Sequence, residues 1–402
     1  MQLRNMCASA RSKTSAAQWF LHGEQRVNDA GGDWDKWSRV DQRFSPRDGR
    51  AYGAPFWVRR DLVALCAHPS PEVMRHFVTD DGICYVAHPS STVPFAEPNA
   101  GKLCVAPTAS TRTMLTVATT VPFMVKTHLD VEHFRHSREL RSREAEWGVN
   151  MTREMRRALP DLEGAGNQFG YLPESLAVTG YLPDDPAMVV REFTPRPYVT
   201  DHRWLVPGFS LYSADSNSPK DPPLLIQILE KFGGNDKLGY LLHLVGMMQA
   251  MTIWFVEHRG LVLINHGQNT AWELDVHGEP QRAIYRDLQD VRPDAEIRSK
   301  LGLTTLDQNA IGSRPGMTRQ AELSICFDHY LGTYHLERIV RTYATYYECD
   351  FQTVAKMVAQ QFRCLAGYIA TELPDTTYRY VSGQNRDGET LVVPTYKSPL
   401  FR

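Results

Sequence analysis

A short polar segment at 265–269, which reads Asn-His-Gly-Gln-Asn, and a second polar pair at 286–287, Arg-Asp, carry side chains that can hold nucleotide phosphates. Between them, residues 270–284 have the pattern of a strand, a turn and a returning strand, which places Asn269 and Asp287 at neighbouring strand ends. Protein sites give Mg²⁺ a few oxygen ligands and leave the others to phosphate and water. We therefore expect Asn269 and Asp287 to hold Mg²⁺ on ATP; an ordinary polar surface turn is the alternative.

A second segment of this kind is the hydroxyl-rich loop 110–113, Ser-Thr-Arg-Thr, which precedes two runs rich in β-branched residues. Because side chains alternate along a strand, Lys126 is predicted to project from the polar side of a half-buried strand. The segment 132–146 is helical in composition and contains Arg138. Lysine offers phosphates a point charge and arginine a bidentate fork, so this region is a candidate triphosphate site. A solvated helix face with balanced charges is the alternative for 132–146.

These motifs together resemble the siderophore synthetases that act independently of nonribosomal peptide synthetases (NIS synthetases), the aerobactin-synthetase family. The resemblance runs from about residue 60 to the C-terminus. The matching features are the family's Ser-x-Arg-Thr loop at 110–113, its strand lysine and following arginine at Lys126 and Arg138, its strand ending in Arg-Glu at 191–192, its His-Gly-Gln-Asn loop at 266–269, its later Arg-Asp at 286–287, and a His-Pro pair at 68–69.

The resemblance implies an α+β fold with the family's cupped-hand architecture, in which mixed and antiparallel sheets are followed by a C-terminal helical part. It also implies three regions: an irregular N-terminal extension with a reduced lead-in region at 1–100, a β-rich nucleotide-binding "fingers" region at 101–230, and a "palm" region at 231–402 with the catalytic loop and C-terminal helices. The implied reaction is ATP-dependent activation of a carboxylic acid as an acyl-adenylate, with release of pyrophosphate. An amine or hydroxyl nucleophile then displaces AMP, in siderophore or related natural-product biosynthesis.

The resemblance also implies roles for individual residues. The implied catalytic residues are Arg112, His266 and Lys126. Arg191 is the implied contact to the acid, and Asn269 and Asp287 are the implied metal ligands. The residues implied to bind ATP are Ser110, Arg112, Thr113, Lys126, Arg138, His266, Asn269 and Asp287.

The chain also departs from the family pattern. With 402 residues it is shorter than usual members, and residues 1–52 contain no convincing counterpart of the family's N-terminal His-Pro-x-His motif, so we expect an N-terminally shortened form. The family usually has an acidic residue two places before the loop histidine, and here that position is Ile264. These departures favour an acid that is smaller or less anionic than citrate, the acid most common in the family.

Composition limits the class of protein. A hydrophobic content of 42% and a charged content of 22% are typical of globular enzymes, and a net charge of −2 argues against a nucleic-acid surface. The seven cysteines are scattered without metal spacing, as expected for reduced cytosolic thiols. No secretion signal is evident, and the apolar stretch 240–256 is predicted to be a buried core helix and not a membrane span. We expect a cytoplasmic enzyme with small-molecule substrates.

Two other functions stay open at this point. A small-molecule kinase uses a similar metal-site layout, but its catalytic loop normally needs an aspartate base, and 265–269 contains none. A nucleotide-binding inactive or partner subunit is the other alternative. Members of the family often dimerise, so a homodimer is also an expectation from the resemblance.

Overall fold

The computed structural model describes residues 2–3, 14–27, 42–46, 49–92, 101–110, 112–119, 121–133, 136–164, 168–199, 204–314, 316–381, 391–395 and 397–402. The helices are α1 (Thr14–Arg26), α2 (Pro71–Phe77), α3 (Ser142–Arg157), α4 (Leu159–Gly164), α5 (Leu224–Phe232), α6 (Lys237–Arg259), α7 (Ala295–Lys300), α8 (Arg319–Ser324), α9 (Glu337–Tyr346), α10 (Phe351–Leu365), α11 (Ile369–Glu372), a π-helix (Ile325–Leu336) and 3₁₀ turns at Gln42–Phe44, Gly208–Leu211 and Leu288–Asp290. The strands are β1 (Tyr52–Arg59), β2 (Val63–Cys66), β3 (Val78–Thr79), β4 (Gly82–Val86), β5 (Gly101–Pro107), β6 (Thr113–Thr116), β7 (Phe123–Thr127), β8 (Leu129–His133), β9 (His136–Arg138), β10 (Phe169–Tyr171), β11 (Glu174–Thr179), β12 (Met188–Glu192), β13 (Trp204–Pro207), β14 (Leu261–Val262), β15 (Thr270–Leu274), β16 (Pro280–Tyr285), β17 (Arg292–Pro293), β18 (Tyr378–Val381) and β19 (Leu391–Pro394).

The largest sheet has nine strands in the order β2-β11-β12-β7-β6-β5-β1-β4-β3, and every neighbouring pair is antiparallel. Phe123 and Val125 of β7 point into the core on one face of this sheet, while Met124 packs in a separate core on the other. The alternation predicted for β7 is therefore confirmed. The prediction that β7 is half-buried was wrong, because all five of its residues, including Lys126, are buried.

A second sheet, β10-β16-β15-β13, carries the hairpin that the sequence predicts over 270–284. Strands β15 and β16 pair antiparallel, with Thr270 opposite Tyr285, and β10 runs parallel to β16. At the open end of the hairpin, the backbone N–H of Arg286 donates to the carbonyl oxygen of Asn269 at 2.8 Å. The predicted placement of Asn269 and Asp287 at neighbouring strand ends is therefore confirmed.

Helix α6 is the core helix that leads to this hairpin. It begins where the Asp236 carboxylate accepts from the N–H of Gly239 at 2.8 Å, and it ends at Gly260, whose φ of 57° is a left-handed value that glycine adopts without strain. By length and composition α6 could cross a membrane, but 61% of its most apolar window is buried inside the protein. The prediction of a buried core helix is confirmed.

The C-terminal part is helical, as predicted, and the fold is α+β. From Arg319 to Tyr346 the chain runs without interruption through α8, the π-helix and α9. α10 and α11 follow, and the hairpin β18-β19 comes after them.

Two further local predictions were wrong. Residues 14–26 form helix α1 where the sequence favours an irregular extension, because an apolar face containing Phe20 packs into a core beside β6 and β7. The helix predicted over 132–146 begins only at Ser142, where the Glu144 carboxylate accepts from the backbone N–H of Arg141 at 2.8 Å, and the residues before it form the hairpin β8-β9. The domain division remains a prediction, and its boundary near residue 100 falls between strands β4 and β5 of one sheet.

Candidate functional site

Lys126 lies on the inner face of the nine-stranded sheet, where the second sheet and α3 cover it. Its Cα neighbours across the sheet are Thr113 of β6 and Val189 of β12. Only 3% of its surface is exposed, and its ammonium donates to Oδ1 of Asp287, which follows the hairpin of the other sheet. This ion pair joins the two sheets and brings the two phosphate-binding motifs predicted from the sequence together.

Arg191 is a second buried cation on the same carboxylate. It lies on β12 opposite Met124, with Nη2 3.2 Å from Oδ1 of Asp287 and 2.5 Å from Oε1 of Glu174. Glu174 has no exposed surface. In the described part of the chain, Glu174 Oε2 and Arg191 Nε have no hydrogen-bond partner, although both atoms are buried. Buried polar atoms are normally paired, so two such atoms without a partner distinguish this cluster from an ordinary buried ion pair.

The backbone at Asp287 places its carboxylate between these cations. Its φ of 75° is left-handed, a conformation that aspartate tolerates better than most residues. Tyr285 donates a long hydrogen bond of 3.4 Å from its hydroxyl to the Asp287 carbonyl. Strained backbone of this kind is frequent at functional sites, where the surrounding structure holds it in place.

The charges around Asp287 set the ionisation of the cluster. Burial opposes ionisation of Asp287, but the positive charges of Lys126, Arg191 and Arg112 outweigh it and hold the pKa of that carboxyl well below its usual range. For Glu174, burial is the larger effect, and it raises the pKa even though Arg191 lowers it. For Lys126, burial lowers the pKa, and the negative charge of Asp287 raises it. The cluster is therefore a dehydrated group of cations around one firmly ionised carboxylate.

The hydroxyl-rich loop between β5 and β6 lies beside this cluster. Its turn is closed by the N–H of Thr113, which donates to Oγ of Ser110 at 3.2 Å, and by the N–H of Arg112, which donates to the Ser110 carbonyl at 2.8 Å. The carbonyl of Arg112 accepts from the N–H of Thr127 at 2.9 Å. This contact fixes the loop to the strand that carries Lys126.

The side chain of Arg112 is oriented by a backbone carbonyl. Its Nη1 donates to the carbonyl of Glu139 at 2.7 Å. Burial lowers the pKa of Arg112, and the nearby charges of Asp287 and Asp290 raise it. Arg112 therefore belongs to the same electrostatic cluster, although its guanidinium donates to the backbone of Glu139 and not to a member of that cluster.

The loop at 265–269 is anchored on both sides. The carbonyl of His266 accepts from the N–H of Asn269 at 2.9 Å and from the hydroxyl of Thr270 at 3.2 Å, while its Nδ1 accepts from the N–H of Gln268 at 3.2 Å. The imidazole is half-buried, with its centroid 5.7 Å from that of the Tyr330 ring on the π-helix. The loop is thus held as a compact turn with one face of His266 against the C-terminal helices.

Asn269 contacts a second acid that sequence reasoning missed. Its Nδ2 donates to Oδ2 of Asp290 at 2.9 Å, which leaves the amide oxygen of Asn269 available to a cation. Asp290 lies three residues after Asp287, in the 3₁₀ turn that follows the hairpin. No motif signals Asp290, but its position three residues after Asp287 is a signal that local reasoning can use.

The remaining sequence-predicted positions differ in how they are placed. Ser110 and Thr113 lie in the anchored loop, and Thr113 is buried at the start of β6. Arg138 lies on strand β9 with its Cα opposite Leu129, and its side chain is outside the described residues. Thr111 is also outside them. The structure thus brings Arg112, Lys126, Arg191 and Asp287 together, and the roles proposed for them from the resemblance stay predictions.

The oxygen donors of this site suit a small hard cation. Asp287 and the amide oxygen of Asn269 are oxygen donors, and Asp290 accepts a hydrogen bond from the Asn269 amide and so orients it. In that part of the chain, no group of three or more histidine, cysteine, aspartate or glutamate side chains could hold a metal alone. A site that supplies only one or two carboxylates fits Mg²⁺, which is usually completed by phosphates and water.

Solved structures with the same fold identify the architecture. The petrobactin biosynthesis protein AsbB from Bacillus anthracis str. Sterne superposes with a TM-score of 0.72 at 15% identity, over 90% of this chain and 70% of that one. ATP-bound aerobactin synthetase IucA from a hypervirulent pathotype of Klebsiella pneumoniae gives 0.68 at 15% identity, over 93% and 76% of the two chains. Aerobactin synthetase IucC from the same pathotype gives 0.61 at 17% identity, over 80% and 64%.

No protein-family model and no curated protein matches the sequence. The likeness is therefore one of structure, and at this identity it establishes the fold. The α+β architecture of the NIS synthetases, which the resemblance in the motifs predicts, is confirmed for this chain.

Proposed function

We propose that this protein is an ATP-dependent ligase that activates a carboxylic acid as an acyl-adenylate and joins it to an amine or a hydroxyl. The observation that carries the proposal is the convergence of Lys126 and Arg191 on Asp287 inside an NIS-synthetase fold. The positive charge of Arg112 also acts on this carboxylate. A concentration of buried cations at a loop of hydroxyl residues is suited to a triphosphate. ATP is bound in the structure of the similar IucA.

In the proposed first step, an oxygen of the acid attacks the α-phosphorus of ATP, and the bond to the β-phosphate oxygen breaks to release pyrophosphate. Negative charge builds up on the α-phosphate and on the leaving pyrophosphate. Lys126 and Arg112 are positioned to neutralise it, and the hydroxyls and backbone of Ser110 and Thr113 help to hold the phosphates, as does Arg138 on the resemblance. Because the donors are fixed before the reaction, and Lys126 and Thr113 are buried, they stabilise the developing charge efficiently.

The metal would be held by Asn269 and Asp287, with Asp290 orienting Asn269 through its side-chain amide. Bound there, Mg²⁺ would supply charge neutralisation on the phosphates. The positive charges of Lys126, Arg191 and Arg112 keep Asp287 ionised, which is the form that a metal requires.

The acid is proposed to approach Arg112 and His266, with Arg191 as a further contact. In the second step, the lone pair of the nucleophile attacks the acyl carbon, the acyl–oxygen bond breaks, AMP leaves with that oxygen, and the nucleophile gives up one proton to water. Ile264, where the family usually has an acid, is buried among apolar side chains such as Val262 and Ile253. The chain therefore lacks a negative charge at this position.

Analysis of the products tests the proposal. The purified chain is incubated with ATP, Mg²⁺ and hydroxylamine across a panel of di- and tricarboxylates, α-keto acids and amino acids. AMP, pyrophosphate and an acid-dependent hydroxamate are the expected products. Formation of ADP would instead establish a kinase, and ATP binding without turnover for any acid would establish a binding subunit; either result would overturn the ligase proposal.

A further inference from the structure

Helix α1 is built into the site although the family motifs lie elsewhere in the chain. It packs against β13, and the approach is close: a Cβ on Gly23 would lie 2.7 Å from Cδ of Pro207 and 2.9 Å from Oγ of Ser210. Phe20 of the same helix is fully buried against Phe193, with ring centroids 5.1 Å apart. The helix is therefore a fixed part of the fold, and at Gly23 it packs too closely against the chain to leave room for an added methyl group.

A buried acid on α1 contacts both halves of the proposed nucleotide site. Glu24 is 1% exposed. Its Oε2 accepts from the backbone N–H of Ala109 at 2.9 Å, directly before Ser110, and its Oε1 accepts from Nη1 of Arg286 at 2.5 Å, directly before Asp287. One carboxylate thus links the hydroxyl-rich loop of the first sheet to the end of the hairpin in the second.

The link continues into the loop at 265–269. Nε of Arg286 donates to the carbonyl of Gln268 at 2.6 Å, and its guanidinium lies 5.4 Å from the centre of the Phe20 ring. Arg286 is therefore held by α1 on one side and holds the histidine loop on the other. None of these contacts involves an atom that the proposed reaction uses directly.

We propose that Glu24 is a positioning residue that sets the distance between the two phosphate-binding loops, and that α1 thereby determines the affinity for ATP. The part of this inference that concerns ATP rests on the proposed function. The link between the loops is a property of the chain without ligand. A triphosphate must contact both loops at once, and a small misplacement of groups that act together weakens binding strongly. Loss of the Glu24 carboxylate frees the Ser110 loop and leaves Arg286 as a buried cation without its partner.

The test compares Glu24→Gln with a matched variant on the same helix. Glutamine removes the charge opposite Arg286 and leaves one acceptor oxygen for the two donors that the carboxylate serves, the N–H of Ala109 and Nη1 of Arg286. His22→Ala is the control, because His22 Nε2 contacts Oδ2 of Asp215 at 2.7 Å and so anchors α1 away from both loops. Calorimetry with ATP and Mg²⁺ gives the dissociation constant, and hydrogen exchange of the ligand-free chain reports on residues 105–117 and 262–290.

We expect Glu24→Gln to weaken ATP binding by about tenfold and to speed hydrogen exchange in both segments. His22→Ala should leave the dissociation constant within about twofold, with faster exchange only in α1 and around Asp215. Unchanged exchange in the two segments of Glu24→Gln, or equal effects of the two variants, would overturn the inference. A wild-type chain that fails to bind ATP would overturn the proposed function and the nucleotide part of the inference, whereas the exchange result would still decide the link between the loops.

Discussion

Lys126 and Asp287 are 161 residues apart in the chain and form a buried ion pair between the two sheets. The pair defines the site, since one partner comes from the hydroxyl-rich side and the other from the hairpin that follows the histidine loop. Arg191 adds a second cation on the same carboxylate oxygen, 3.2 Å away. Removing two charges from water is costly, so a cluster of this kind is better explained by a ligand that uses it than by stability.

The first prediction concerns Arg112. Arg112→Ala removes a guanidinium whose contacts to charged groups are worth about 1.5–3 kcal/mol, so pyrophosphate release should fall by about ten- to a hundredfold. Thermal stability should change little, because the arginine lies in a loop and is only partly buried. Both quantities are measured on the same preparation.

The control for Arg112→Ala is Arg143→Ala. Arg143 lies near the start of α3, half-exposed, in ion pairs with Glu144 and Asp184 that contribute little. Its loss should leave turnover unchanged. Unaltered pyrophosphate release in Arg112→Ala would remove the loop 110–113 from the site.

The second prediction separates two roles of Asp287. Asp287→Asn keeps the shape and removes the charge that a hard cation prefers, so the Mg²⁺ concentration for half-maximal activity should rise by about tenfold. The ligand-free chain should also lose about 3 kcal/mol, the lower end of the range for a broken buried ion pair, because Glu174 still balances Arg191. Asp275→Asn in the turn of the same hairpin is the control. A stability loss with unaltered metal dependence would limit Asp287 to ion pairing.

A double-mutant cycle tests the pair formed by Arg191 and Glu174. Arg191→Met leaves Glu174 buried without the cation 2.5 Å away and should cost about 3–5 kcal/mol in the free energy of unfolding, whereas Glu174→Met should cost less, because Arg191 keeps Asp287 at 3.2 Å. The double variant should be more stable than the sum of the single losses implies, since neither charge remains. Denaturant unfolding of the three variants measures this coupling. Strict additivity would mean that the two side chains do not depend on each other.

Local features of the site could be predicted from the sequence, while the partners of its charges could not. The hairpin that places Asn269 and Asp287 side by side is specified by neighbouring residues, and so is the alternation that turns Lys126 away from Phe123. The burial of Lys126 depends on a second sheet and a helix that pack over it. Glu24 contacts a residue 262 positions away. The sequence of α1 does not indicate that Glu24 becomes buried, so its contact to Arg286 is known only from the fold.

The last prediction concerns His335, which supports the histidine loop from the π-helix. Its Nδ1 lies 3.2 Å from Oγ1 of Thr270, whose hydroxyl donates to the carbonyl of His266. Burial, assisted by the charge of His266, lowers the pKa of His335 from 6.5 to about 3. The imidazole is therefore neutral in the folded chain at neutral pH.

The stabilisation from neutral His335 is fully present above pH 6.5, because there neither the folded nor the unfolded chain binds the proton. As the pH falls from 6.5 towards 3, the unfolded chain takes up a proton that the folded chain refuses, so the free energy of unfolding should decrease by up to about 1.4 kcal/mol per pH unit from this group. His335→Gln keeps a hydrogen-bonding side chain beside Thr270 and cannot titrate. Urea unfolding between pH 4 and pH 7 should therefore give a shallower slope for the variant, and equal slopes for variant and wild type would show that His335 is protonated in the folded chain.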